Sequence, residues 1–509
     1  ISIENAESMT KGYNEAMKAS DAKYKVYLHQ DVYIVNKSFI KDMLNIFKSN
    51  EKIGMLGVIG AKVIPTNAIW WESRKKYGKV YDSHTGQIGL LSFNEVKGEY
   101  QSVQAIDGLI MITQCDIPWR QDIFDGWHFY DLSQSIEFIK TGYDVAIPNQ
   151  VSPWVIHDCG VVNVRNGYED YRKLFLEEYS KDIFPLVSIL IPAYNQTRYL
   201  KEALKSAINQ TYPNIEIIIG DDSTTNEVEK FIKPYLEIYT NIIYFKNKRE
   251  KMDYGIANVK ELLNRSRGEY INYLFHDDVF DVTKIEKMMR FFLSRDDVSL
   301  VTSHRQLVDE NGNYLPDNGA TKRIFDKDTI INGNELCLLC LKNIMNFIGE
   351  PTTVLFKKSL LEDGFGCFNK NFYMNIADVA TWFSLLEKGN GVYIYESLSY
   401  FRQHSKQNSQ KPEVYFMGID EWKNIIDDSY DTGLIDRMTY INYISNWFYS
   451  FNHTIKDIPH KRIDDGLKKS LVESFKNAID IITEETYYKH ECVICGNKVG
   501  RFLPYNVKI

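Results

Sequence analysis

Three residues that could carry chemistry recur in the chain at one constant spacing. The set Asp31, Asp131 and His157 returns 247 residues later as Asp278, Asp378 and His404. The flanking sequence repeats too: residues 24–28 before His29 match residues 270–274 before His276, with Phe275 as one extra residue. Two unrelated α/β domains could each end a strand in aspartate, but self-similarity over a domain length indicates duplication. We therefore expect two copies of one α/β scaffold.

Composition sets the outer limits of this interpretation. The 509 residues, 44% hydrophobic and 25% charged, are typical of a globular protein with room for two to four domains. The net charge of -8 gives no general basic surface, so no nucleic-acid partner is expected. Seven cysteines in 509 residues favour a reducing compartment over a disulfide framework. Without a transmembrane-length apolar run or a signal-peptide pattern, we expect a cytoplasmic protein, with peripheral contact at the inner membrane face left open.

The second copy begins with a strand, helix, strand pattern. Residues 187–191 are a short apolar run of the kind found in buried parallel strands. After a turn, apolar side chains recur at helical spacing over residues 200–208. The next run, residues 215–219, ends at Gly220, whose backbone freedom allows a sharp turn before Asp221 and Asp222. This order predicts a parallel sheet with an acidic pair beyond a strand end.

A second acidic pair follows the next predicted strand. Residues 270–275 lead into His276, Asp277 and Asp278. Because open α/β sheets bind ligands beyond the carboxyl ends of their strands, both pairs are expected at one ligand-binding edge. Hard carboxylate oxygens suit Mn²⁺ or Mg²⁺ bound to a diphosphate. Either pair alone could simply cap a turn or a helix, but their ordered combination favours a metal site.

These ordered motifs, from residue 187 to Val279, resemble the family 2 glycosyltransferases of the GT-A fold over about residues 185–410. The resemblance implies inverting transfer of a sugar from a nucleotide diphosphate sugar, a UDP-sugar being favoured, to a glycan or glycoconjugate hydroxyl. Bacterial surface polysaccharide or glycoprotein synthesis is the expected setting. It further implies that Asp222 contacts the base, that Asp277 lies near the ribose or sugar, and that the turn lines the nucleoside pocket with Pro192, Ala193 and Tyr194.

The same resemblance assigns the remaining groups of the second copy. Asp278 matches the metal-binding aspartate. Asp378 matches the catalytic base, which would take a proton from the acceptor hydroxyl as that oxygen attacks the anomeric carbon. His404 matches a histidine that completes the metal or phosphate site, although a lone histidine can also be structural. Because the Gln-x-x-Arg-Trp motif of processive members is absent from the sequence, addition of one sugar or a short repeat is expected.

The first copy, residues 1–184, resembles a glycosyltransferase-like domain also described in streptomycin-biosynthesis-type proteins. The match gives Asp31, Asp131 and His157 the metal, base and third-site roles. Gln30 replaces the first carboxylate, and no strand equivalent to residues 187–191 precedes Ile1. These departures favour a structural or acceptor-binding role over catalysis. The start at Ile1, without a methionine, leaves open that upstream residues have been removed.

After about residue 410 the pattern becomes helical and rich in aromatic residues. A helical appendage packed on the second domain is expected, and an acceptor-binding module is the alternative. Cys492 and Cys495 have the spacing of half a zinc knuckle, but a Zn²⁺ site needs four ligands, so a free pair is favoured. Residues 492–505 are also similar to zinc-ribbon segments that precede methyltransferase domains, which would make the chain part of a longer protein.

The sequence thus predicts an α/β protein with two tandem GT-A-like domains, each Rossmann-like with a mostly parallel sheet, and a C-terminal helical region. The predicted boundaries are residues 1–184, 185–410 and 411–509. Two alternatives remain open. A nucleotide-sugar-binding or scaffold protein with degenerate sites would explain Gln30. A nucleotidyltransferase would share the acidic site, but such enzymes usually carry a glycine- and lysine-rich loop, which residues 193–196 do not resemble.

Overall fold

The computed structural model describes residues 1–161, 166–248, 255–405, 407, 411–460 and 463–491. Cys492 and Cys495, and with them the predicted half zinc knuckle, lie outside these residues. Two compact units are present. The first comprises Ile1–Leu186 with Gln210–Ile215 and Ile285–Asp296, and the second comprises Val187–Asn209, Glu216–Lys284 and the described residues from Asp297 onward. No helix in the described part of the chain is long and apolar enough to cross a bilayer.

Residues 1–186 form four α-helices, one 3-10 helix and eleven strands in their described part. The helices are α1 (Met9–Lys18), α2 (Phe39–Ser49), α3 (Tyr130–Lys140) and α4 (Tyr168–Ile183), with the 3-10 helix at Trp70–Glu72. The strands are β1 (Lys25–Leu28), β2 (Val32–Ile34), β3 (Ile53–Leu56), β4 (Ile59–Ala61), β5 (Lys76–Asp82), β6 (Gly89–Ser92), β7 (Tyr100–Val103), β8 (Ala105–Ile106), β9 (Ile110–Thr113), β10 (Asp144–Pro148) and β11 (Val155–His157).

The rest of the chain first alternates strands with helices and then becomes helical. Its strands are β12 (Val187–Ala193), β13 (Ile215–Asp221), β14 (Ile242–Lys246), β15 (Tyr270–Tyr273), β16 (Val279–Phe280), β17 (Val298–Val308), β18 (Thr329–Ile331), β19 (Leu355–Lys357), β20 (Cys367–Phe368), β21 (Asn371–Phe372) and β22 (Asn390–Arg402). Its helices are α5 (Arg198–Ile208), α6 (Glu227–Ile238), α7 (Ile256–Arg265), α8 (Lys284–Ser294), α9 (Gly333–Asn343), α10 (Ala377–Leu386), α11 (Pro412–Asp431), α12 (Arg437–Phe451) and α13 (Asp465–Glu491), with 3-10 helices at Lys358–Leu360 and Asn452–His460.

The first unit contains two sheets. One has the strand order β1-β9-β3-β10-β7, and the other has the order β2-β11-β5-β4-β8 with β6 paired to β5. Strand β10 runs parallel to β3, and β11 runs parallel to β5, whereas β1 with β9 and β3 with β9 are antiparallel. The side chains of β3 and β9 are buried throughout, which is expected of strands covered on both faces.

The second unit is built on one large sheet. Its order is β14-β13-β12-β15-β19-β17-β22-β16, with β18 paired to β22, and β20 and β21 form a separate hairpin. Strand β12 is parallel to β15, β13 to β14, and β17 to β22. Strands β12 and β13 extend the predicted runs at residues 187–191 and 215–219 and are almost wholly buried. Helix α5 buries four residues of the predicted apolar face, Leu200, Ala203, Leu204 and Ala207.

The duplication expected from the sequence is visible in the backbone of the two units. The strand order β1-β9-β3-β10 matches β15-β19-β17-β22, and each neighbouring pair has the same sense. Helix α3 begins at Tyr130 and α10 at Ala377, again 247 residues apart. The predicted α/β class with two tandem domains is therefore confirmed. Within the described residues β1 ends its sheet, whereas β15 is followed by β12, β13 and β14.

The helical region packs into the core of the second unit. Helices α11, α12 and α13 share one hydrophobic cluster with α9 and α10. Trp382 of α10 and Trp447 of α12 are both fully buried in this cluster. The Trp447 indole donates a hydrogen bond of 2.8 Å to the carbonyl of Ile419 in α11, so the polar end of the ring is satisfied in the apolar interior.

Candidate active sites

The strand ends of the second unit bring the predicted nucleoside-binding residues together. The backbone amide of Asp222 donates to the carbonyl of Ala193 over 3.2 Å. The Nδ1 atom of His276 lies 3.2 Å from the carbonyl oxygen of Pro192. Tyr194, at the end of the same turn, is half-buried. The ends of β12, β13 and β15 therefore meet at one edge of the sheet, as the parallel pattern predicted.

The two aspartates at the end of β13 have different surroundings. The Asp221 carboxylate is fully buried and accepts hydrogen bonds from the Tyr244 hydroxyl at 2.8 Å and the Lys246 ammonium at 2.9 Å. It thus ties β13 to β14. Asp222 is also buried, with 4% of its surface exposed. The role of Asp222 as the base-contacting residue of the pair stays a prediction.

The acidic pair after β15 is also divided between two environments. The Asp277 carboxylate lies 3.1 Å from His404 Nε2. Asp278 is buried and accepts hydrogen bonds from the Thr352 hydroxyl at 2.6 Å and the Arg402 backbone amide at 3.0 Å. His404, predicted to share a metal site with Asp278, therefore contacts the neighbouring aspartate of the same motif. The roles of these three side chains stay predictions.

The protonation of this pair follows from its surroundings. Burial, followed by the charge of Asp277, raises the pKa of Asp278 well above its ordinary value. Burial also opposes ionisation of Asp277, but the hydrogen bond with His404 and the nearby charge of His276 outweigh it and lower the pKa of Asp277. Ionisation of Asp278 is thus disfavoured beside the ionised Asp277, and a divalent cation bound at the pair would favour the ionised form of Asp278.

Arg402 was not assigned a role from the sequence, although it lies two residues before His404. Its side chain is fully buried, and its Nε donates to the Asp277 carbonyl over 2.8 Å. A second nitrogen donates to the Glu202 carboxylate at 2.5 Å, and the guanidinium lies 4.6 Å from the Tyr199 ring centre. A buried arginine with these partners fixes the acidic motif against α5. The sequence signal that could have identified Arg402 was its position two residues before His404, a predicted metal ligand.

The predicted base of the second copy lies in the first turn of α10. Asp378 accepts hydrogen bonds from the Val379 backbone amide and the Asn346 side-chain amide, each over 2.8 Å. Burial raises the pKa of Asp378 to about 7, and the charge of Glu350 contributes in the same direction. A carboxylate with a pKa near neutrality is suited to accept a proton from a hydroxyl group.

The loop at residues 349–353 connects this base with the acidic motif. The Trp382 indole of α10 donates to the Gly349 carbonyl over 2.9 Å, and Thr352 bonds to Asp278. Between them, Glu350 forms an ion pair of 2.6 Å with Arg305 and raises the pKa of both Asp278 and Asp378. A single carboxylate therefore acts electrostatically on both candidate functional groups. This role of Glu350 was not predicted from the sequence.

In the first unit, three side chains converge on a possible cation position. Donor atoms of His29, Asp31 and His157 all lie within 4.8 Å of one another. The distance from His157 Nε2 to Asp31 Oδ1 is 3.6 Å. In the described part of the chain this Asp31 oxygen is buried and has no hydrogen-bond partner. A buried carboxylate oxygen facing two imidazoles is a donor set that fits a divalent transition metal. The structure thus brings the predicted pair together and adds His29.

A second layer of groups surrounds His157. Its Nδ1 atom lies 2.9 Å from an Asp82 oxygen, and the other Asp82 oxygen lies 2.5 Å from His84 Nδ1. Cys159 Sγ is 3.9 Å from the same carboxylate. A carboxylate bound to Nδ1 fixes the imidazole so that Nε2 faces the opposite side, toward Asp31. The comparison of the two copies at an offset of 247 residues did not identify Asp82, because the residue 247 positions later is Thr329.

The predicted base of the first copy has the same local setting as Asp378. Asp131, in the first turn of α3, accepts from the backbone amides of Leu132 at 2.9 Å and Gly108 at 3.0 Å. Burial raises the pKa of Asp131 to about 7, and the charge of Asp107 adds to this increase. Asp107 thus has the electrostatic effect in the first unit that Glu350 has in the second.

The strand registers show that Asp107 and Glu350 are equivalent. Val26 of β1 pairs with Ile112 of β9, and its counterpart Asn272 of β15 pairs with Leu355 of β19. Five residues before these partners the chain has Asp107 in one unit and Glu350 in the other. The spacing here is 243 and not 247, so a search at constant offset could not find the match.

Comparisons with known proteins agree with this geometry. Residues 1–179 match the model of a "Glycosyltransferase like family", and residues 188–365 match that of "Glycosyl transferase family 2". A relative from Rickettsia felis, described as an uncharacterized glycosyltransferase, is 30% identical over 234 residues, which cover 45% of this chain and 36% of the relative. The putative teichuronic acid biosynthesis glycosyltransferase TuaG of Bacillus subtilis is 28% identical over 223 residues, covering 43% of this chain and 79% of TuaG.

Solved structures similar to the chain include the crystal structure of residues 1–349 of S. aureus TarS. It is 16% identical, with a TM-score of 0.42, and the match covers 59% of this chain and 81% of that one. The present chain spans about a third of the length of the R. felis relative. The resemblance expected from the motifs is confirmed by the two family models. The chain belongs to the family 2 glycosyltransferases and carries two glycosyltransferase domains in tandem.

Proposed function

We propose that residues 185–410 transfer a sugar, with inversion, from a nucleotide diphosphate sugar to a hydroxyl group of a glycan or glycoconjugate. The observation that carries this proposal is Asp378. It is a half-buried carboxylate in the first turn of a helix, with a pKa of about 7, and the loop at residues 349–353 links it to the acidic motif at the strand ends. A scaffold protein with degenerate sites would have no need of a carboxylate whose pKa is near 7.

In the proposed reaction Asp378 acts as general base. Its carboxylate takes the proton of the acceptor hydroxyl while that oxygen forms a bond to the anomeric carbon and the bond to the leaving diphosphate breaks. Hydrogen bonds from Val379 and Asn346 fix the carboxylate, so its orientation is set before the acceptor binds. Attack from the face opposite the diphosphate inverts the anomeric configuration.

The donor would bind at the strand ends. Asp222 is proposed to contact the base, the turn at Pro192, Ala193 and Tyr194 to line the nucleoside pocket, and Asp277 to lie near the ribose or sugar. Asp278 and His404 are proposed to hold Mn²⁺ or Mg²⁺, since a cation there would favour the ionised form of the Asp278 carboxyl group, whose pKa is otherwise raised. When bound, such an ion would offset the charge that develops on the diphosphate.

For the first domain we propose a cation site made of Asp31, His157 and His29, with Asp131 as the equivalent of the base. The matched surroundings of Asp131 favour a second transfer activity as the alternative to an acceptor-binding role. Against that alternative, β12, β13 and β14 have no counterpart among the described residues of the first unit. A nucleoside pocket like that of the second unit is therefore incomplete there.

The chemical class of the substrates is also a proposal. A UDP-sugar is favoured as donor through the family resemblance, and the similarity to TuaG, a putative teichuronic acid biosynthesis glycosyltransferase, supports a role in polysaccharide synthesis. Nucleotidyl transfer is disfavoured because Asn195, after β12, takes a left-handed conformation with φ of 47° and bonds to Ser223, instead of opening a glycine-rich phosphate loop.

The test is nucleotide release from UDP-, GDP-, dTDP- and CMP-sugars with Mn²⁺, with and without candidate glycan acceptors. The unaltered chain is compared with Asp378→Asn and Asp131→Asn. We expect acceptor-dependent release from one donor that is lost in Asp378→Asn and retained in Asp131→Asn. If no donor is consumed, or if Asp378→Asn retains full transfer, the second domain is not the proposed enzyme and the scaffold alternative gains support.

A further inference from the structure

Helix α11, in the C-terminal helical region, presents a carboxylate to the segment that leads into the base helix. Glu421 accepts hydrogen bonds from three consecutive backbone amides: Met374 at 2.8 Å, Asn375 at 2.8 Å and Ile376 at 2.9 Å. The side chain of Glu421 is half-buried, so these bonds are partly shielded from water. Three backbone donors on one carboxylate fix the path of the chain over that segment.

The segment so fixed ends two residues before Asp378. Ile376 is the N-cap residue of α10, and no side chain at that position caps the helix. The first amides of a helix have no partner within it, and a negative charge near them is favourable. The residues that lead into α10 thus have no capping carboxylate close to them in sequence. Glu421, about 45 residues further along the chain, supplies one.

A second carboxylate of α11 holds the preceding hairpin, β20 and β21. Asp428 accepts from the Asn371 side chain at 2.8 and 2.9 Å and from the Tyr373 hydroxyl at 2.5 Å. Glu421 and Asp428 are seven residues apart, two helical turns, and so lie on the same face of α11. Together they bind the whole of residues 371–376 to that face.

The side chain of Asn375, within this segment, also lies close to α11. A Cβ atom added to Gly418 of α11 would lie 2.5 Å from the side-chain nitrogen of Asn375. Because the end of that side chain could turn away, the path of residues 374–376 rests on the bonds to Glu421.

We propose that Glu421 is a positioning residue for Asp378, and that the C-terminal helical region is a working part of the transfer site. This inference rests on the proposed function, since it takes Asp378 as the base. Glu421 does not touch the reacting atoms. It sets the start of α10, and through it the position of the Asp378 carboxylate relative to the acceptor hydroxyl.

The matched control is the adjacent residue. Asp420 is also a buried carboxylate of α11, but it accepts from the hydroxyls of Ser470 and Ser474 in α13, each at 2.6 Å. Asp420→Asn therefore weakens helix packing without touching residues 374–376. Glu421→Gln loses one of its two acceptor oxygens and places an amide donor against a backbone donor.

The experiment compares Glu421→Gln, Asp420→Asn and Asp378→Asn in steady-state transfer at a temperature where each is folded by circular dichroism. We expect kcat to fall about 10- to 100-fold in Glu421→Gln, because a displacement near 1 Å at the reacting group costs about that factor. The KM for the donor should stay within about twofold, and Asp420→Asn should keep kcat within about twofold at a similar loss of melting temperature.

Glu421→Asp provides a second variant if Glu421→Gln fails to fold. It keeps the charge but is one methylene shorter, so it cannot reach all three amides, and a fall in kcat with unchanged donor KM is expected there too. Equal kcat values for Glu421→Gln and Asp420→Asn, or an unchanged kcat in Glu421→Asp, would overturn the positioning role. Full activity in Asp378→Asn would instead overturn the assignment of the base, and the two failures are thereby distinguished.

Discussion

Asp131 in the first unit and Asp378 in the second have nearly the same surroundings. Each lies in the first turn of its helix, accepts from the amide of the next residue, and takes its second hydrogen bond from a neighbouring loop. Each has a pKa raised to about 7, first by burial and then by one acidic neighbour. This agreement shows that the base environment is reproduced in both copies even where the acidic neighbour changes from aspartate to glutamate.

The histidines proposed to bind a cation have different carboxylate partners in the two units. In the second unit His404 contacts Asp277, one of two adjacent carboxylates. In the first unit Gln30 stands at the equivalent of Asp277, and His157 is held by Asp82 from a neighbouring strand. The histidine thus has a carboxylate partner in both units, but the partner comes from a different element. The replacement of aspartate by Gln30 in the motif is thus accompanied by a different set of partners around the equivalent histidine.

The largest expected effect separates the two bases. Asp378→Asn should lower kcat for sugar transfer by about 10²- to 10⁴-fold, since removal of a general base costs that much. Asp131→Asn should leave the same rate within about twofold, because the first unit lacks the counterpart of β12 to β14 in its described residues. The measurement is steady-state transfer with the donor identified by nucleotide release. A comparable loss in Asp131→Asn would mean that both units act in the measured reaction.

The second prediction concerns cation binding in the first unit. Asp31→Ala should remove one equivalent of Mn²⁺ per chain, measured by electron paramagnetic resonance without nucleotide, because it deletes the only carboxylate among the three converging ligands. With two imidazoles in the set, Mg²⁺ should compete poorly for this position. Asp42→Ala, a change of an acidic side chain on α2, provides the control. Unchanged Mn²⁺ stoichiometry in Asp31→Ala would exclude the site.

The carboxylate behind the histidine should have a smaller effect on the same measurement. Asp82→Asn retains the shape of the side chain but removes the charge facing His157 Nδ1, and about a tenfold loss of Mn²⁺ affinity is expected. If the affinity is unchanged, Asp82 does not orient His157 toward the cation.

The acidic neighbours allow a test by pH. The base must be ionised to act, so kcat/KM should rise with pH through a limb near 7, the value to which the pKa of Asp378 is raised. Glu350→Gln removes a charge that raises the pKa of Asp378, and the limb should move to lower pH. Asp107→Asn, the equivalent change in the first unit, should leave the limb in place. A limb that stays near 7 in Glu350→Gln would assign it to another group.

The smallest expected effect is on stability, and here the two units should behave alike. A carboxyl group whose folded-state pKa is raised from 3.8 to about 7 destabilises the fold as pH rises through that interval. At 1.4 kcal/mol per unit the upper limit is roughly 4 kcal/mol. Asparagine resembles the protonated acid, so Asp131→Asn and Asp378→Asn should each raise the melting temperature by a few degrees at pH 8 and by less at pH 5. Scanning calorimetry at both pH values is the measurement.

Much of the fold could be predicted because its signals are local. The apolar runs at residues 187–191 and 215–219 are strands β12 and β13, and the apolar spacing over residues 200–208 is helix α5. Burial on both faces of a parallel strand produces an uninterrupted apolar run, and burial on one face of a helix produces a 3.6-residue period. Such patterns need no knowledge of distant contacts. The two-domain α/β class followed directly from them and from the repeat.

The parts of the sites that were missed depend on contacts that no local pattern records. Asp107 and Glu350 became comparable only through the pairing of β1 with β9 and of β15 with β19. Asp82 reaches His157 across parallel strands. Glu421 acts on a segment far from it in sequence, and a glutamate in an amphipathic helix carries no sign of such a role. Charged side chains reveal their partners only when tertiary packing is known.

The constant 247-residue offset has a practical consequence for the stretch from the base to the histidine. In both copies the same number of residues separates Asp131 from His157 and Asp378 from His404. A helix is followed by two strands, β10 and β11, in the first copy and by the one long strand β22 in the second. The two stretches therefore have the same length, and one could be grafted into the place of the other without shortening or extending a loop. A chimera of this kind would show whether the ability to transfer a sugar depends on the exchanged stretch or on the sheet into which it is placed.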